Sequence, residues 1–355
     1  MGKKRSQRRV RRVVAPTAID LFAGCGGLTE GLMSAGFNVL AAVEVDGLAA
    51  DTYTANHADV YLARKDIRLV RPPRLMRTLG LKPGELTLLA GCPPCQGFSS
   101  VRRRNRTGAV DDDRNDLVGQ MLRFARALVP AAVMMENVPG LSSDARMGRL
   151  TGGLERLGYV CTEVVVDAAD HGVPQRRKRL LLLAGQGRRL GAPAPTARRV
   201  TVRDAIAALS APGGSGDPLH DLPERRSEAV STLIRAVPKD GGSRRDVPGG
   251  DGLACHQDFD GFKDVYGRMA WDSVAPTITG GCVNPSKGRF LHPEADRAIT
   301  LREAALLQGF RQDYAFSLKR GKFPAAAMVG NALPPPLAEA QARALLATLD
   351  LGDRS

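Results

Sequence analysis

The sequence predicts an α/β protein with a doubly wound, mostly parallel sheet and a second, smaller domain that is rich in loops. Three observations support this prediction. Short apolar runs alternate with segments of helical periodicity, a glycine-rich turn follows the first run, and residues 185–261 are enriched in Gly, Pro, Arg and Asp. Strands that alternate with helices are typical of parallel sheets whose helices cover both faces.

The elements follow from the apolar pattern. Buried strands are predicted at residues 18–23, 38–45, 86–90, 131–135, 160–166 and 180–184. Helices are predicted at residues 28–35, 117–129, 300–307 and 335–349. The second of these helices has one apolar face, made of Leu117, Met121, Leu122, Ala125, Leu128 and Val129.

These elements divide the chain into four parts. We predict a disordered basic tail over residues 1–15, a first domain over 16–190 and a second domain over 191–300. Residues 301–355 form a hinge and a last helix, which we expect to pack back on the first domain.

The charge predicts a polyanionic partner. The formal net charge is +14, and residues 1–12 hold seven Lys or Arg and no acid, which leaves +7 on the rest. No apolar run approaches the roughly 20 residues that span a membrane. The six cysteines are irregularly spaced in a long chain, so we interpret them as reduced thiols of a cytoplasmic protein rather than as a disulfide framework.

The turn after the first strand is the candidate cofactor site. It contains Phe22, Ala23, Gly24, Cys25, Gly26 and Gly27, and glycines let such a turn approach a ligand closely. Glu44 lies twenty residues after Gly24, the placement expected for a carboxylate that binds ribose hydroxyls. Thr29 stands where a dinucleotide motif needs its third glycine, which favours a nucleoside cofactor without pyrophosphate. A tight turn without any ligand is the alternative.

A second motif follows the strand at 86–90. Cys92 and Cys95 flank two prolines, which stiffen the turn and remove backbone donors. A cysteine on this turn would lie at the carboxyl end of the sheet, where open α/β folds bind ligands. The pair also fits a redox site, a zinc site or a buried structural pair.

The segment Pro93-Pro94-Cys95-Gln96 resembles the nucleophile motif of the cytosine-C5 DNA methyltransferase family. The glycine turn resembles the first motif of that family, and the order of the later motifs is also similar. The resemblance spans residues 17–346 and includes Glu136-Asn137-Val138, Gln175-Arg176-Arg177, Arg179, residues 297–310, and Gly330-Asn331-Ala332.

The resemblance implies a Rossmann-like methyltransferase fold and a covalent mechanism. Cys95, as a thiolate, would attack C6 of a cytosine flipped out of the duplex, and Glu136 would hold or protonate N3. Arg177 and Arg179 would supply positive charge to this catalytic site. The methyl donor would be S-adenosylmethionine, with Phe22 against its sulfonium.

The resemblance also extends the set of binding residues. Besides the glycine turn and Glu44, the expected cofactor contacts are Asp66, Ile67, Pro94, Leu117, Asn331 and Ala332. Lys65 stands where the family commonly has glycine. The expected DNA contacts are Gln96, Ser99, Arg104, Arg176, Thr277, Lys287 and Arg289. Residues 96–114 resemble the loop that closes over the substrate, and the second domain occupies the target-recognition position.

The expected partner is double-stranded DNA, methylated at a specific sequence by a monomer, with a restriction endonuclease that acts separately. We expect no membrane and no metal. Two alternatives stay open on the sequence: a tRNA cytosine-5 methyltransferase of the same fold, and a sequence-specific DNA-binding protein without catalysis.

Overall fold

The computed structural model describes residues 15–94, 117–248 and 264–349. The described strands are β1 (Thr17–Leu21), β2 (Asn38–Val43), β3 (Tyr61–Ala63), β4 (Leu88–Gly91), β5 (Ala132–Asn137), β6 (Tyr159–Asp167) and β7 (Lys178–Gln186). They form one seven-stranded sheet in the order β3-β2-β1-β4-β5-β7-β6.

The sheet is mostly parallel, as predicted. The pairs β1–β2, β2–β3, β1–β4 and β4–β5 are parallel, and β7 runs antiparallel between β5 and β6. The first strand ends two residues earlier than predicted because Phe22 has a φ of 62° and begins a turn. The last two strands are longer than predicted because their polar ends also pair.

Helices cover both faces of the sheet. They are α1 (Gly27–Ser34), α2 (Gly47–Asn56), α3 (Pro72–Leu79), α4 (Val118–Leu128), α5 (Ala145–Glu155), α6 (Val202–Ile206), α7 (Glu228–Ala236), α8 (Leu301–Leu307), α9 (Lys322–Asn331) and α10 (Pro335–Leu349). The sequence predicted α1, α4, α8 and α10. Of the helices in the described part of the chain, none has the length and apolar character that crossing a membrane requires.

Two hydrophobic layers hold the sheet between helices. Leu28 and Leu32 of α1 lie in one layer with Leu337 and Leu345 of α10, so the last helix packs against α1. The opposite layer contains α4, through residues such as Phe124, and α5. A β-carbon on Gly31 would lie 2.4 Å from the carbonyl oxygen of Pro335, which shows how closely α1 and α10 approach.

The region after β7 shares a core with the C-terminal segment. Val202, Ile278, Leu307 and Val329 belong to one cluster of buried residues, and Cys25 from the glycine turn belongs to the same cluster. The described residues of the second region therefore pack against α8 and α9 and reach the turn after β1. This contact brings the two halves of the chain together at the carboxyl end of β1.

Candidate active site

A tight turn follows β1 and leads into α1. Gly24 and Gly26 have φ values of 56° and 101°, which favour glycine. The amide of Gly26 donates to the carbonyl of Ala23 at 2.9 Å, and the amide of Ala23 donates to the carbonyl of Val43 at 3.0 Å. A β-carbon on Gly24 would meet no atom within 4 Å, so the backbone there borders open space.

Glu44 lies beside this turn, directly after β2. Its Oε2 accepts from the amide of Gly24 at 2.8 Å, and its Oε1 accepts from the amides of Val45 and Asp46 at 2.8 and 2.6 Å. Burial raises the pKa of this carboxyl, while the three amides oppose the rise. The carboxylate is therefore held in one orientation next to the open space at Gly24.

Asp66 and Ile67 lie after β3, on the same edge of the sheet. The carboxylate of Asp66 accepts from the amide of Arg68 at 2.9 Å and forms an ion pair with its guanidinium at 2.6 Å. Arg68 lowers the pKa of Asp66. The side chain of Ile67 is buried, and its carbonyl accepts from Arg123 at 2.6 Å. Both carboxylate oxygens of Asp66 are engaged by Arg68 in this structure.

The turn after β4 is fixed by its neighbours. The amide of Cys92 donates to the carbonyl of Leu21 at 3.2 Å, and Asn137 donates to the carbonyl of Pro93 at 3.0 Å. Burial, followed by the charge of Glu136, raises the pKa of the Cys92 thiol well above its usual range. Cys92 is therefore protonated at neutral pH and is a poor nucleophile.

Glu136 and Arg179 form an ion pair on neighbouring strands. Arg179 Nε lies 2.6 Å from Glu136 Oε1, with the two side chains only 14% and 9% exposed for Arg179 and Glu136. Glu136 is on β5 and Arg179 is on β7, which pairs with β5 in antiparallel register. The guanidinium therefore fixes the position of the Glu136 carboxylate at the end of the sheet where the turn after β4 also lies.

Arg177 is placed differently from Arg179. Its guanidinium is buried and donates to the carbonyls of Ile278, Gly330 and Ala332 at 3.0, 2.9 and 3.3 Å. Burial, followed by the charge of Arg179, lowers the pKa of Arg177 to about 9. In this structure Arg177 joins two loops, whereas Arg179 forms the ion pair with Glu136.

Gln175 continues this network and was not assigned a role from the sequence. Its amide donates to the carbonyl of Leu307 at 2.9 Å and to Oε1 of Gln308 at 2.6 Å, and its own Oε1 accepts from the amide of Ile278 at 2.9 Å. Gln308 in turn donates to the carbonyl of Ala332. The signal was present in the sequence, because Gln175 begins the motif that contains Arg177.

Two of the expected DNA contacts lie on this same junction. The amide of Arg176 donates to the carbonyl of Ala275 at 2.9 Å, and the hydroxyl of Thr277 donates to the carbonyl of Arg176 at 2.6 Å. The segment around Thr277 is therefore attached to the chain that leads into β7 and Arg179. This attachment places the second region at the edge of the Glu136 site.

The last two expected DNA contacts, Lys287 and Arg289, differ in their surroundings. Lys287 ends a short 3-10 helix, Pro285–Lys287. The guanidinium of Arg289 donates to the carbonyls of Gly241, Gly242 and Arg268, and it pairs with Asp264 at 3.1 Å. The donors of Arg289 are thus largely used within the protein.

The other expected cofactor contacts lie on separate elements. Asn331 is exposed at the end of α9, Ala332 follows it, and Leu117 precedes α4. A β-carbon on Gly27 would lie 2.3 Å from the carbonyl oxygen of Leu333. The segment after α9 therefore packs directly on the glycine turn.

A buried polar group beneath the turn was also missed by sequence reasoning. Thr29 donates to Oδ2 of Asp20 at 2.7 Å, and its hydroxyl lies 2.9 Å from the hydroxyl of Tyr53. Asp20 is fully buried, and its Oδ1 has no hydrogen-bond partner among the described residues. Burial raises the pKa of Asp20 to about 7. Thr29, which stands where a dinucleotide motif has its third glycine, thus supplies a hydrogen bond to the buried Asp20.

Several predicted site residues lie outside the described part of the chain. They are the nucleophile and the substrate-loop residues, namely Cys95, Gln96, Ser99 and Arg104. Pro94, the last described residue before them, is partly exposed.

Comparison with known proteins identifies the family. The chain matches the model of the C-5 cytosine-specific DNA methylases over residues 17–347. It is 37% identical over 342 residues to the type II methylase M.HgiDII of Herpetosiphon aurantiacus, covering 92% of this chain and 94% of that protein. It is 34% identical over 336 residues to the type II methyltransferase M1.HphI of Haemophilus parahaemolyticus, covering 93% and 86%.

Solved structures support the fold. A crystal structure named for a prophage-encoded DNA modification methyltransferase (E. coli) has a TM-score of 0.73 at 24% identity, covering 94% of this chain and 99% of that one. The S. pombe Dnmt2 methyltransferase has a TM-score of 0.59 at 17% identity, covering 94% and 99%. Since the family model spans nearly the whole chain and the sheet agrees with it, the chain belongs to the C-5 cytosine-specific DNA methylase family and is a DNA cytosine-5 methyltransferase, a family that uses S-adenosylmethionine as its methyl donor.

Proposed function

We propose that this enzyme methylates cytosine within a specific duplex sequence through a covalent adduct between Cys95 and C6. The observation that carries the proposal is the Glu136–Arg179 pair, at 2.6 Å, near the turn that leads to residue 95. A carboxyl group held in this way can bind the N3 edge of a cytosine and its exocyclic amine. An extrahelical base is required, since C6 is inaccessible within the stack.

The glycine turn fits the cofactor. Open space borders Gly24, and Glu44 is held by three amides beside it. A carboxylate in this place suits ribose hydroxyls, and the turn has no third glycine for a pyrophosphate. If Asp66 binds the cofactor, its carboxylate must accept hydrogen bonds from the cofactor and from Arg68 at the same time. The residues that we assign to this site are 22–27, Glu44, Asp66, Ile67, Pro94, Leu117, Asn331 and Ala332.

S-adenosylmethionine supplies an electrophilic methyl group when bound. The proposed role of Cys95 is to add its thiolate to C6, which forms the S–C6 bond and makes C5 nucleophilic. Glu136 donates a proton to N3, where negative charge develops as C6 is attacked, and the proton returns to the carboxylate when the adduct breaks down. After C5 is methylated, its proton leaves to a base, for which we propose a water molecule, and the S–C6 bond breaks to release Cys95 as a thiolate.

Arg179 acts in this scheme by orienting Glu136, and its charge favours the thiolate form of Cys95. For Arg177 we propose a more indirect role, because its guanidinium holds the carbonyls of Ile278 and Gly330. Through these loops Arg177 aligns the second region with the catalytic site. Lys287 is favoured over Arg289 as a phosphate contact, because the donors of Arg289 already bind carbonyls of the protein.

The biological setting is also a proposal. The relatives named above are type II methylases from bacteria, so we propose a restriction-modification enzyme that acts as a monomer in the bacterial cytoplasm. A cognate endonuclease would act as a separate protein. The proposed substrate contacts, besides those at the catalytic site, are Gln96, Ser99, Arg104, Arg176, Thr277 and Lys287.

Expression in a host without cytosine methylation, followed by bisulfite sequencing, tests the proposal. The wild-type chain is expected to protect one sequence motif, while Cys95→Ser and Glu136→Gln lower activity by about a hundredfold or more, since each removes a group used in the covalent step. Cys161→Ser is the matched thiol control, because Cys161 lies on the edge strand β6, and it should retain activity. Methylation by Cys95→Ser at the wild-type rate would refute the mechanism.

An assay with the purified chain distinguishes DNA from tRNA as the substrate. Labelled S-adenosylmethionine is incubated with duplex DNA that contains the motif, with scrambled duplex, or with tRNA. Label is expected only in the first. Label in tRNA alone would overturn the proposed substrate.

A further inference from the structure

The segment after α8 is fastened to α2 by paired hydrogen bonds. Asn56 donates to the carbonyl of Ala315 at 2.9 Å and accepts from the amide of Ala315 at 3.0 Å. The amide of Ser317 donates to the hydroxyl of Thr52 at 3.0 Å. Residues 314–317 are therefore held in a defined position on α2.

Tyr314 extends from this segment into the glycine turn. Its side chain is fully buried, and its hydroxyl donates to the carbonyl of Cys25 at 2.6 Å. His57 Nε2 lies 3.0 Å from the same hydroxyl. Because the single hydroxyl proton is used on the carbonyl of Cys25, which can only accept, the hydroxyl oxygen must accept the hydrogen bond from His57. This requires the tautomer that carries its proton on Nε2.

The surroundings keep His57 neutral. Burial, followed by the charge of Arg311, lowers the pKa of His57 to about 4. Glu30 lies 3.8 Å from His57 Nε2 but is paired with Arg311 at 2.9 Å. The ring of Tyr53 packs against His57 with the centroids 4.9 Å apart. The direction of the hydrogen bonds, from His57 to Tyr314 to Cys25, is therefore the same throughout the neutral pH range.

Gly26 shows how tightly the turn closes on this pair. A β-carbon at Gly26 would lie 2.6 Å from the hydroxyl oxygen of Tyr314 and 2.7 Å from His57 Nε2. Such distances are too short for any side chain. The turn thus rests directly on the two polar atoms, while Glu44 also holds it through the amide of Gly24.

We infer that Tyr314 is a positioning residue for cofactor binding: its hydroxyl, oriented by His57, sets the conformation of the turn at Cys25 and Gly26. The inference rests on the proposed function, in which this turn binds S-adenosylmethionine. Tyr314 acts through the backbone of the turn rather than on the reacting base. The C-terminal part of the chain thereby contributes to a site built mainly by the first strands.

Tyr314→Phe tests the inference, because it removes one oxygen and keeps the ring that packs on Phe310 and Phe316, with centroids 4.6 and 5.3 Å away. The Kd for S-adenosylmethionine, measured by calorimetry on the full chain, is expected to rise about fivefold, the effect of losing the one hydrogen bond that holds the turn at Cys25. The KM for DNA and kcat at saturating cofactor should stay within about twofold of the wild-type values, on the same energy scale.

Tyr159→Phe is the matched control. Tyr159 is also a buried tyrosine whose hydroxyl donates to a carbonyl, that of Pro130, at 2.7 Å, but it lies at the start of β6, on the edge of the sheet opposite β3. Its replacement should lower stability by a similar amount and leave the cofactor Kd unchanged. An unchanged Kd in Tyr314→Phe, or an equal rise in both variants, would overturn the inference.

His57 offers a test of the orienting role. His57→Gln retains an N–H that can donate to Tyr314 and should keep the Kd within about twofold of wild type. His57→Leu should raise the Kd toward the value of Tyr314→Phe, since the hydroxyl then loses the hydrogen bond that orients it toward Cys25. The double variant, His57→Leu with Tyr314→Phe, should bind S-adenosylmethionine no more weakly than Tyr314→Phe alone. Additive effects would contradict the inference. Circular dichroism melting checks that each variant is folded.

Glu44→Ala separates this inference from the proposed function. If Glu44→Ala leaves the Kd for S-adenosylmethionine unchanged, the assignment of the cofactor site fails. If Glu44→Ala weakens binding while Tyr314→Phe does not, only the role of Tyr314 fails.

Discussion

Two arginines of the site, Arg177 and Arg179, have different partners and therefore different roles. Arg179 and Arg177 are two residues apart, yet one pairs with Glu136 and the other binds three carbonyls. Alternate residues along extended chain share a face but meet different neighbours along its length. The chemistry available to each arginine is therefore set by what lies opposite it.

Asp20 gives a prediction about pH and stability. Its pKa is raised from 3.8 to about 7 by burial, so its protonated form stabilises the fold. That contribution is complete below pH 3.8 and is lost as the pH rises through about 7. Asp20→Asn removes this pH dependence. The free energy of unfolding of the variant, relative to that of wild type, should therefore be about 2 to 3 kcal/mol higher at roughly pH 8 than at roughly pH 5. Urea unfolding at the two pH values measures this.

The exposed carboxylate of Asp59 provides the control for this experiment. Asp59→Asn is expected to keep the wild-type pH profile. A constant difference in stability between Asp20→Asn and wild type across this pH range would show that Asp20 keeps its ordinary ionisation when folded.

At the scale of elements, the end of α9 packs against the loop that contains Thr277. A β-carbon on Gly330 would lie 2.2 Å from the carbonyl carbon of Thr279 and 2.4 Å from the amide nitrogen of Gly280. Because these neighbours are backbone atoms, they cannot move aside without displacing the loop. The helix and the loop thus require glycine at this contact.

Gly330→Ala is expected to destabilise the protein by about 2 kcal/mol or more, since an added atom must push two elements apart. It should also reduce methyl transfer, because the carbonyl of Gly330 binds Arg177. Urea unfolding and the transfer assay measure the two effects.

Gly148→Ala is the control for Gly330→Ala, since Gly148 lies within α5 and a β-carbon there meets no atom within 4 Å. It should be neutral or stabilising by up to about 1 kcal/mol. Equal destabilisation of both variants would mean that α9 and the loop at Thr279 do not approach closely at Gly330.

At the scale of the whole molecule, the net charge of +14 favours association with DNA. Seven of the basic residues are concentrated in residues 1–12. Replacing these seven by serine is expected to weaken binding to duplex DNA and to flatten its salt dependence, by about 0.9 in the logarithmic slope for each phosphate that the tail neutralises. Fluorescence anisotropy of a labelled duplex at several salt concentrations measures the slope.

The full-length chain with unchanged tail is the reference, and a duplex without the methylated motif serves as the control for specificity. The tail is expected to affect both duplexes equally, since phosphate contacts carry no sequence information. An unchanged slope after the replacement would show that the tail does not contact phosphates.

The sequence by itself determined the elements whose apolar pattern is strong and the motifs whose order is characteristic. Strands β1, β2, β4, β5, β6 and β7 and helices α1, α4, α8 and α10 were predicted near their observed positions. Helix α2 was not, because Ala and Thr line much of its buried face, and β3 has only three residues. Short or weakly patterned elements form because neighbours pack on them, which a local pattern cannot show.

Only the tertiary structure decided which side chains meet. Arg177 and Arg179 belong to one sequence motif, and the motif alone does not show their partners. In the fold, Arg179 pairs with Glu136, whereas Arg177 binds the loop around Ile278 and the end of α9. Likewise, Tyr314 lies 289 residues from the carbonyl that it binds, and nothing local distinguishes it. Sequence periodicity shows which face of each segment is buried and which is exposed to solvent. A hydrogen bond between distant segments depends on distances that are set only when all the elements pack together.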